Sequence, residues 1–323
     1  MRHAAWIVVA CMVTACRGAS STPAKEAKVI TFDVKSTTDL QQLVPEYTKL
    51  ARSGFAGRVE IRIASGAAIG RTSWNLEPEL GASRDVPIDV VIHGGGGSLP
   101  LFGSIVARSL RLDDVALTDN GQGHVWVTRD FTMHRVMLAD CRRVNSKAGV
   151  GSPGQSVIEV NANGAAVNVT IEDSWFVRNF QDEQPDFMLR LTRQGERAGG
   201  YGAVRVVRSA FLGNAFAADL SVEHARRVEI EDSVFYRNWV GDGSELACEH
   251  CDDVVVNRSS FVLERMDQLA THPVRLEDSR VIAEHAAFQG HAEIGTTITT
   301  LAAKPLRVPA PDTWTRVRAA FAH

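Results

Sequence analysis

Apolar and polar residues alternate in short stretches along the middle of the chain, and one eight-residue motif recurs there. The motif has apolar residues at alternate positions, then a polar pair that ends in serine, then a further apolar pair. Its five copies begin at Val169, Val204, Val228, Val254 and Val274. Their serines are Ser174, Ser209, Ser233, Ser259 and Ser279. Successive serines are therefore 20 to 35 residues apart. A repeat of that length is typical of solenoids, in which one structural unit stacks on copies of itself.

Each unit predicts three short strands, at 220–223, 228–231 and 234–236 in the clearest copy, because alternation with β-branched residues indicates strands with one buried face. Strands this short, without long helices between them, argue against a βαβ fold. We expect a parallel β-helix, in which each strand pairs with its equivalent one coil further on. Asparagine recurs after the third strand, where its tolerance of left-handed backbone suits a sharp corner, at Asn179, Asn214 and Asn238.

Both ends of such a stack need a cover, because an open strand edge invites aggregation. Ser36 and Asp39 predict the start of a helix that runs to about Arg52 and stops at Gly54. Near the other end, an amphipathic spacing predicts a C-terminal helix over the last coil, at Trp314, Val317 and Phe321.

The repeat motif, its serines at the second turn and the N-terminal helix resemble the pectin-lyase-like superfamily over about residues 29–301. This resemblance implies an all-β chain folded as a right-handed parallel β-helix with three-strand coils. The superfamily includes polysaccharide lyases, glycoside hydrolases, epimerases, phage tailspikes and adhesins without known catalysis. Since one fold serves so many purposes, it does not select a function by itself.

The N-terminus predicts export. Arg2 and His3 precede a short apolar run, which ends in Val-Thr-Ala-Cys at residues 13–16. This ending resembles a bacterial lipobox, which implies cleavage before Cys16 and a lipid on its thiol; the alternative is an ordinary signal peptide that contains a cysteine. Arg17 stands where an aspartate commonly retains lipoproteins in the inner membrane, so the resemblance favours the outer membrane.

These features divide the chain into five parts. We expect a signal peptide at 1–15, a flexible tether at 16–28, an N-terminal strand and helix cap at 29–89, the β-helix at 90–301 and a tail with its helix at 302–323. A net charge of −3 and a pI of about 6.4 do not support a nucleic-acid partner, for which a basic face is expected.

Acidic residues on the first strand of successive coils are the candidate site. If Leu220 and Val222 point inward, their neighbours point outward. Register then places Asp219 beside Glu245 and Glu223 beside Glu249, with strands ~4.8 Å apart. Like charges opposite one another are destabilising, and Ca²⁺, which prefers oxygen ligands, would compensate them. The candidate metal ligands are therefore Asp219, Glu223, Glu245 and Glu249.

In enzymes of the superfamily the substrate groove usually follows the outer face of this first strand. A calcium ion and Arg190 would neutralise the carboxylate of a uronic acid, and Arg190 or a histidine would serve as base for β-elimination. A glycosidase would instead use carboxylates as acid and base or nucleophile, which makes Glu223 and Glu249 further catalytic candidates. The competing interpretation is a solvated charged face without catalytic function.

The motifs of the known enzymes are absent. The chain matches neither the calcium motif of pectate lyases nor the paired aspartates of polygalacturonases. We therefore favour a non-catalytic binding or structural lipoprotein anchored in the outer membrane, with carbohydrate as its ligand. The alternative is a polysaccharide lyase or glycosidase that acts on an acidic or complex polysaccharide.

Two smaller patterns stand near this face. Cys248 and Cys251 resemble half a zinc site, but no second pair lies at ligand spacing, so we expect them to fill the core, with a disulfide as the alternative. Residues 220–228 align without gaps on residues 246–254. This alignment places His224 and His250 in one column, as a surface ladder or as a metal or pH-sensing pair.

Overall fold

The computed structural model describes residues 28–70, 72, 74–78, 85–118, 123–139, 141–143, 156–163, 166–181, 187–193, 200–240 and 243–283. Within these ranges the chain is all-β apart from one α-helix and one 3-10 turn, which confirms the predicted class. No helix there is long and apolar enough to cross a membrane. The lipobox with Cys16 and the helix predicted around Trp314 lie outside the described residues.

The regular elements follow one another in a strand-rich order. They are β1 Lys28–Ser36, α1 Thr37–Arg52, β2 Gly57–Ala68, β3 Asn75–Leu76, β4 Ile88–Pro100, β5 Ser104–Thr118, β6 Gly123–Ala139, β7 Arg142–Arg143, β8 Ser156–Ala162, β9 Val167–Glu172, β10 Trp175–Val177, β11 Phe180–Gln181, β12 Phe187–Arg193, β13 Tyr201–Val207, β14 Ala210–Leu212, β15 Ala218–Glu223, β16 Ala225–Glu231, β17 Val234–Tyr236, β18 Leu246–Glu249, β19 Val254–Asn257, β20 Ser260–Leu263, the 3-10 turn Met266–Gln268, β21 Arg275–Glu277 and β22 Arg280–Ala283.

All described strand pairs are parallel, and apart from the separate short pair β7–β11 they form three ladders along the solenoid. The first sheet contains β3, the starts of β5 and β6, and then β8, β12, β15 and β18. The second sheet runs from β1, β2 and β4 through the middle of β5 and β6 to β9, β13, β16, β19 and β21. The third sheet joins the ends of β4, β5 and β6 to β10, β14, β17, β20 and β22. Three strands per coil, as predicted, make up the parallel β-helix.

The β-helix begins upstream of the expected boundary at residue 90. Strands β1 and β2 pair in register with each other and with β4, so the first described coil starts at Lys28. The predicted N-terminal helix is confirmed as α1. The Ser36 hydroxyl accepts a hydrogen bond from the backbone N–H of Asp39 at 3.2 Å, and Gly54 follows the helix with a φ of +69°.

Aromatic side chains stack through the core at the third sheet. Phe176, Phe211, Phe235 and Phe261 are fully buried, and neighbouring ring centroids lie 4.5, 4.5 and 4.6 Å apart. One ring per coil matches the strand spacing, so each ring covers the faces of its neighbours. This column explains why phenylalanine stands two residues after the serine in four copies of the motif.

The serines form a hydrogen-bonded ladder at the second turn. Ser174 N–H donates to the Ser209 hydroxyl at 3.2 Å, and the same bond repeats from Ser209 to Ser233 at 3.2 Å and from Ser233 to Ser259 at 3.0 Å. The ladder supplies partners for backbone groups that the corner removes from the sheets.

The asparagines also form a ladder, and this corrects their expected backbone role. Left-handed φ angles fall on the preceding residues, Arg178, Gly213 and Arg237, and not on the asparagines. Instead, the buried Asn214 side-chain oxygen accepts the backbone N–H of Asn179 at 3.0 Å. Asparagine is therefore selected here for its side-chain amide, which bridges adjacent coils.

The left-handed residues at the second turn alternate in charge, a pattern that was not predicted from the sequence. They precede a valine at Asp114 and Arg135 and a serine from Asp173 onward. All have φ between 45° and 54°, and in chain order they are Asp114, Arg135, Asp173, Arg208, Asp232, Arg258 and Asp278. Each arginine pairs with the aspartate of the preceding coil, at 3.0 Å for Arg135, 2.8 Å for Arg208 and 3.0 Å for Arg258. This column, the Asp–Arg ladder, places opposite charges in adjacent coils throughout.

Candidate functional site

Two of the candidate catalytic residues, Arg190 and Glu223, meet on the outer face of the first sheet. Arg190 donates to Glu223 Oε1 from Nη2 at 2.8 Å and from Nε at 3.2 Å. The Thr192 hydroxyl donates to the other oxygen, Oε2, at 2.6 Å. Arg190 also lies over the Phe187 ring, 5.3 Å from its centroid. Both oxygens of Glu223 therefore accept hydrogen bonds. The Arg190 side chain keeps 25% of its accessible surface, and the Glu223 side chain keeps 18%.

Further polar groups continue this face toward the preceding coils. Glu159 pairs in register with both Arg190 and His124. The side-chain amide of Asn161 donates to Glu159 Oε1 at 3.1 Å, and His124 Nδ1 lies 3.9 Å from the same oxygen. We call His124, Glu159, Arg190, Thr192 and Glu223 the first-sheet face. It is a row of hydrogen-bonding groups with one step of ~4.8 Å per coil.

Glu249 lies beside Glu223 in register, as expected, but it points into solvent. Its side chain is 70% exposed, and among the described residues it contacts His250, whose Nε2 lies 3.5 Å from Oε1. Of the two carboxylates Glu223 and Glu249, Arg190 forms its described ion pair with Glu223. The catalytic roles of Arg190, Glu223 and Glu249 stay predictions.

Asp219 and Glu245 are adjacent, but the expectation that both face solvent is wrong. Asp219 is 1% exposed and Glu245 is 0% exposed. The residues that adjoin them in the chain, Ala218, Ser244 and Leu246, are buried as well, so this end of the first strand is closed to water. The two side chains instead meet the asparagine ladder, where Asn238 Nδ2 donates to Glu245 Oε2 at 3.1 Å.

The buried pair must hold a proton at neutral pH. Among the described residues, Asp219 Oδ1 and Oδ2 and Glu245 Oε1 have no hydrogen-bond partner of normal geometry. Burial raises the pKa of Asp219 to about 7. Burial, followed by the adjacent charge of Asp219, raises the pKa of Glu245 well above its usual value. Two neighbouring carboxylates in such surroundings cannot both ionise without a large cost.

The four candidate ligands therefore form two separate pairs, one buried and one on the surface. Burial separates them because β15 is buried from Ala218 to Val222, whereas Glu223 at its end is partly exposed and Glu249 at the end of β18 is exposed. No group of three or more histidine, cysteine, aspartate or glutamate side chains has the arrangement of a metal site within the part of the chain that the structure describes.

Cys248 and Cys251 are both buried and form no disulfide within the described residues, in agreement with the predicted core role. A hydrogen bond between the two thiols lowers the pKa of Cys251 to about 7 and, together with burial, raises the pKa of Cys248. The imidazoles of His224 and His250 stack with centroids 4.6 Å apart, so the predicted column is confirmed.

Comparison with models of known protein families and with curated proteins yields no match. Function is accordingly argued from the geometry of the described residues.

Proposed function

We propose that this protein is a non-catalytic carbohydrate-binding β-helix, held at the bacterial cell envelope by a lipid on Cys16. The observation that carries the proposal is the first-sheet face. Its side chains offer donors and acceptors in successive coils, at a spacing close to the size of one sugar ring. A glycan lying along the solenoid axis would meet a hydrogen-bonding group at every step.

The local contacts favour binding over catalysis. A base must present a nitrogen to the substrate, and Arg190 directs both Nη2 and Nε at Glu223. A general acid must present a carboxyl oxygen to the substrate, and both Glu223 oxygens already accept hydrogen bonds from Arg190 and Thr192. Glu249 lies largely in solvent, where its position is weakly defined.

Anchoring rests on the sequence at residues 13–16. Its test is the mature N-terminus, which we expect to begin at Cys16 and to carry fatty acyl chains by mass spectrometry. Cys16→Ser should abolish the acyl mass. A mature chain that starts elsewhere without a lipid would contradict the anchor and leave the binding proposal intact.

Binding is tested with the full chain carrying Cys16→Ser, to avoid the lipid. Calorimetry against a panel of acidic and neutral oligosaccharides should find a ligand, and product analysis should find no turnover. Arg190→Gln and Glu223→Gln should each weaken binding about tenfold or more, since each removes a charge-assisted contact. Arg227→Gln breaks a comparable exposed pair with Glu229 on the second sheet and should leave binding unchanged.

Three results would overturn the proposal. Unsaturated products that vanish with chelator would establish a metal-assisted lyase, and new reducing ends without unsaturation would establish a hydrolase. No binding across the panel by a folded protein, checked by its thermal transition, would leave a structural rod.

A further inference from the structure

A groove lies on the outer face of the second sheet, away from the first-sheet face. Its cavity of about 220 Å³ is lined from five neighbouring coils. Each strand contributes one residue to a row along the groove, and each residue of the row is the register partner of the next: Arg58, Asp89, Ser109, Asp130 and Asn168. Five strands at ~4.8 Å span about 19 Å, enough for several sugar rings. We call this surface the second-sheet groove.

The carboxylates at the floor of the groove are already neutralised. Arg108 donates to both oxygens of Asp89, from Nε at 2.8 Å and from Nη2. Arg129 donates from Nε to Asp130 at 2.6 Å and lies 3.9 Å from Asp89. Burial would raise the pKa of Asp89, but its hydrogen bond with Arg108 and the charges of Arg108 and Arg129 outweigh burial and lower it. The floor therefore offers no uncompensated negative charge to a cation.

Two guanidinium groups on the groove lining remain available to a ligand. Arg58 makes no ion pair with any residue that the structure describes. Arg111 makes one long contact, 3.5 Å to Asp113, and that carboxylate already bonds His134 Nδ1 at 2.5 Å. In and beside the groove, four guanidinium groups (Arg58, Arg108, Arg111 and Arg129) face three carboxylates (Asp89, Asp113 and Asp130), a local excess of positive charge on a chain whose net charge is −3. Neutral hydrogen-bonding groups complete the lining at Thr132, Thr170 and Asn168.

We propose that the second-sheet groove binds an acidic saccharide chain, with Arg58 and Arg111 holding its carboxylate or sulfate groups. The planar guanidinium matches such anions through paired hydrogen bonds, and the threonines and asparagine suit sugar hydroxyls. The inference rests on the proposed carbohydrate function and adds a second site on a different face, with a defined ligand class.

The test measures binding of three hexasaccharides to the full chain carrying Cys16→Ser. One carries carboxylates (hexagalacturonate), one carries sulfates (a heparin hexasaccharide) and one is neutral (cellohexaose). Arg58→Gln and Arg111→Gln should each weaken binding of an acidic hexasaccharide about tenfold or more, as expected for one charge-assisted contact, and added salt should weaken it further. Arg62→Gln is the matched control, because Arg62 lies on the same strand four residues after Arg58 and pairs with Glu60.

The first-sheet variant Arg190→Gln separates the two sites. Acidic binding that survives Arg58→Gln and Arg111→Gln but is lost with Arg190→Gln would overturn the groove and support the first-sheet face. Equal affinity for cellohexaose, or full competition by inorganic sulfate at the affinity of the hexasaccharide, would also overturn the groove as a saccharide site. Unchanged urea-unfolding midpoints ensure that each loss reports on binding.

Discussion

The buried pair of Asp219 and Glu245 makes the stability of this protein depend on pH in a defined direction. The pKa of Asp219 is about 7 in the folded chain and about 3.9 in an unfolded chain. Because the folded value is the higher one, the folded protein binds more protons between these two pH values. The stabilisation is complete below pH ~4 and is lost as the pH rises through about 7.

The size of the effect follows from the same shift. Each pH unit within the window changes the free energy of unfolding by about 1.36 kcal/mol. From pH 5 to pH 8 the titration of Asp219 therefore removes on the order of 3 kcal/mol. Glu245, whose pKa is also raised, extends the loss to higher pH. Asp219→Asn keeps the shape of the side chain and removes its charge, so it should remove this part of the pH dependence.

Urea unfolding followed by tryptophan fluorescence at pH 5, 6, 7 and 8 measures the effect. The free energy of unfolding of Asp219→Asn, minus that of the parent chain, should rise by about 3 kcal/mol from pH 5 to pH 8. Glu249→Gln is the control, because it removes a carboxylate of the first sheet that is 70% exposed, and its curve should parallel the parent. Parallel curves for Asp219→Asn and the parent would refute the shared-proton argument.

Three further predictions concern the ladders and the aromatic column. Phe211→Ala removes the middle of the stacked rings and should cost about 3–5 kcal/mol in urea unfolding; a cost below about 1 kcal/mol would contradict the packing role. Asn214→Ala leaves the backbone N–H of Asn179 without its acceptor and should cost about 1–3 kcal/mol, with faster amide exchange at that N–H as the specific signal. Arg208→Glu places a third carboxylate between Asp173 and Asp232 and should destabilise more than Arg208→Gln, by about 1 kcal/mol at low salt and less at high salt; equal costs at all salt concentrations would show that the alternation carries no energy.

Repetition made the fold predictable. Strand register, coil length and the start of α1 all follow from local patterns, because each coil contacts mainly its neighbours and repeats their solution. The motif around Val228 was sufficient to place β15, β16 and β17 to within about three residues, and the alignment at Leu220 predicted its pairing with Leu246.

Register alone predicted which carboxylates of the site are neighbours, but it did not predict which of them are buried. Register brings Glu223 beside Glu249 and Asp219 beside Glu245 whichever groups are buried. It does not show that Asp219 and Glu245 are buried, because burial depends on how other segments of the chain pack around the strand.

The amino-acid sequence by itself determined the strands, their order and which residues share a column. Only the tertiary structure decided which columns face water, which carboxylates share a proton and which guanidinium groups are left without a close carboxylate. The physical reason is that alternation reports the direction of a side chain relative to its own strand, whereas burial and ion pairing depend on segments distant in the chain. The second-sheet groove illustrates this, since its lining from Arg58 to Asn168 is assembled from five coils.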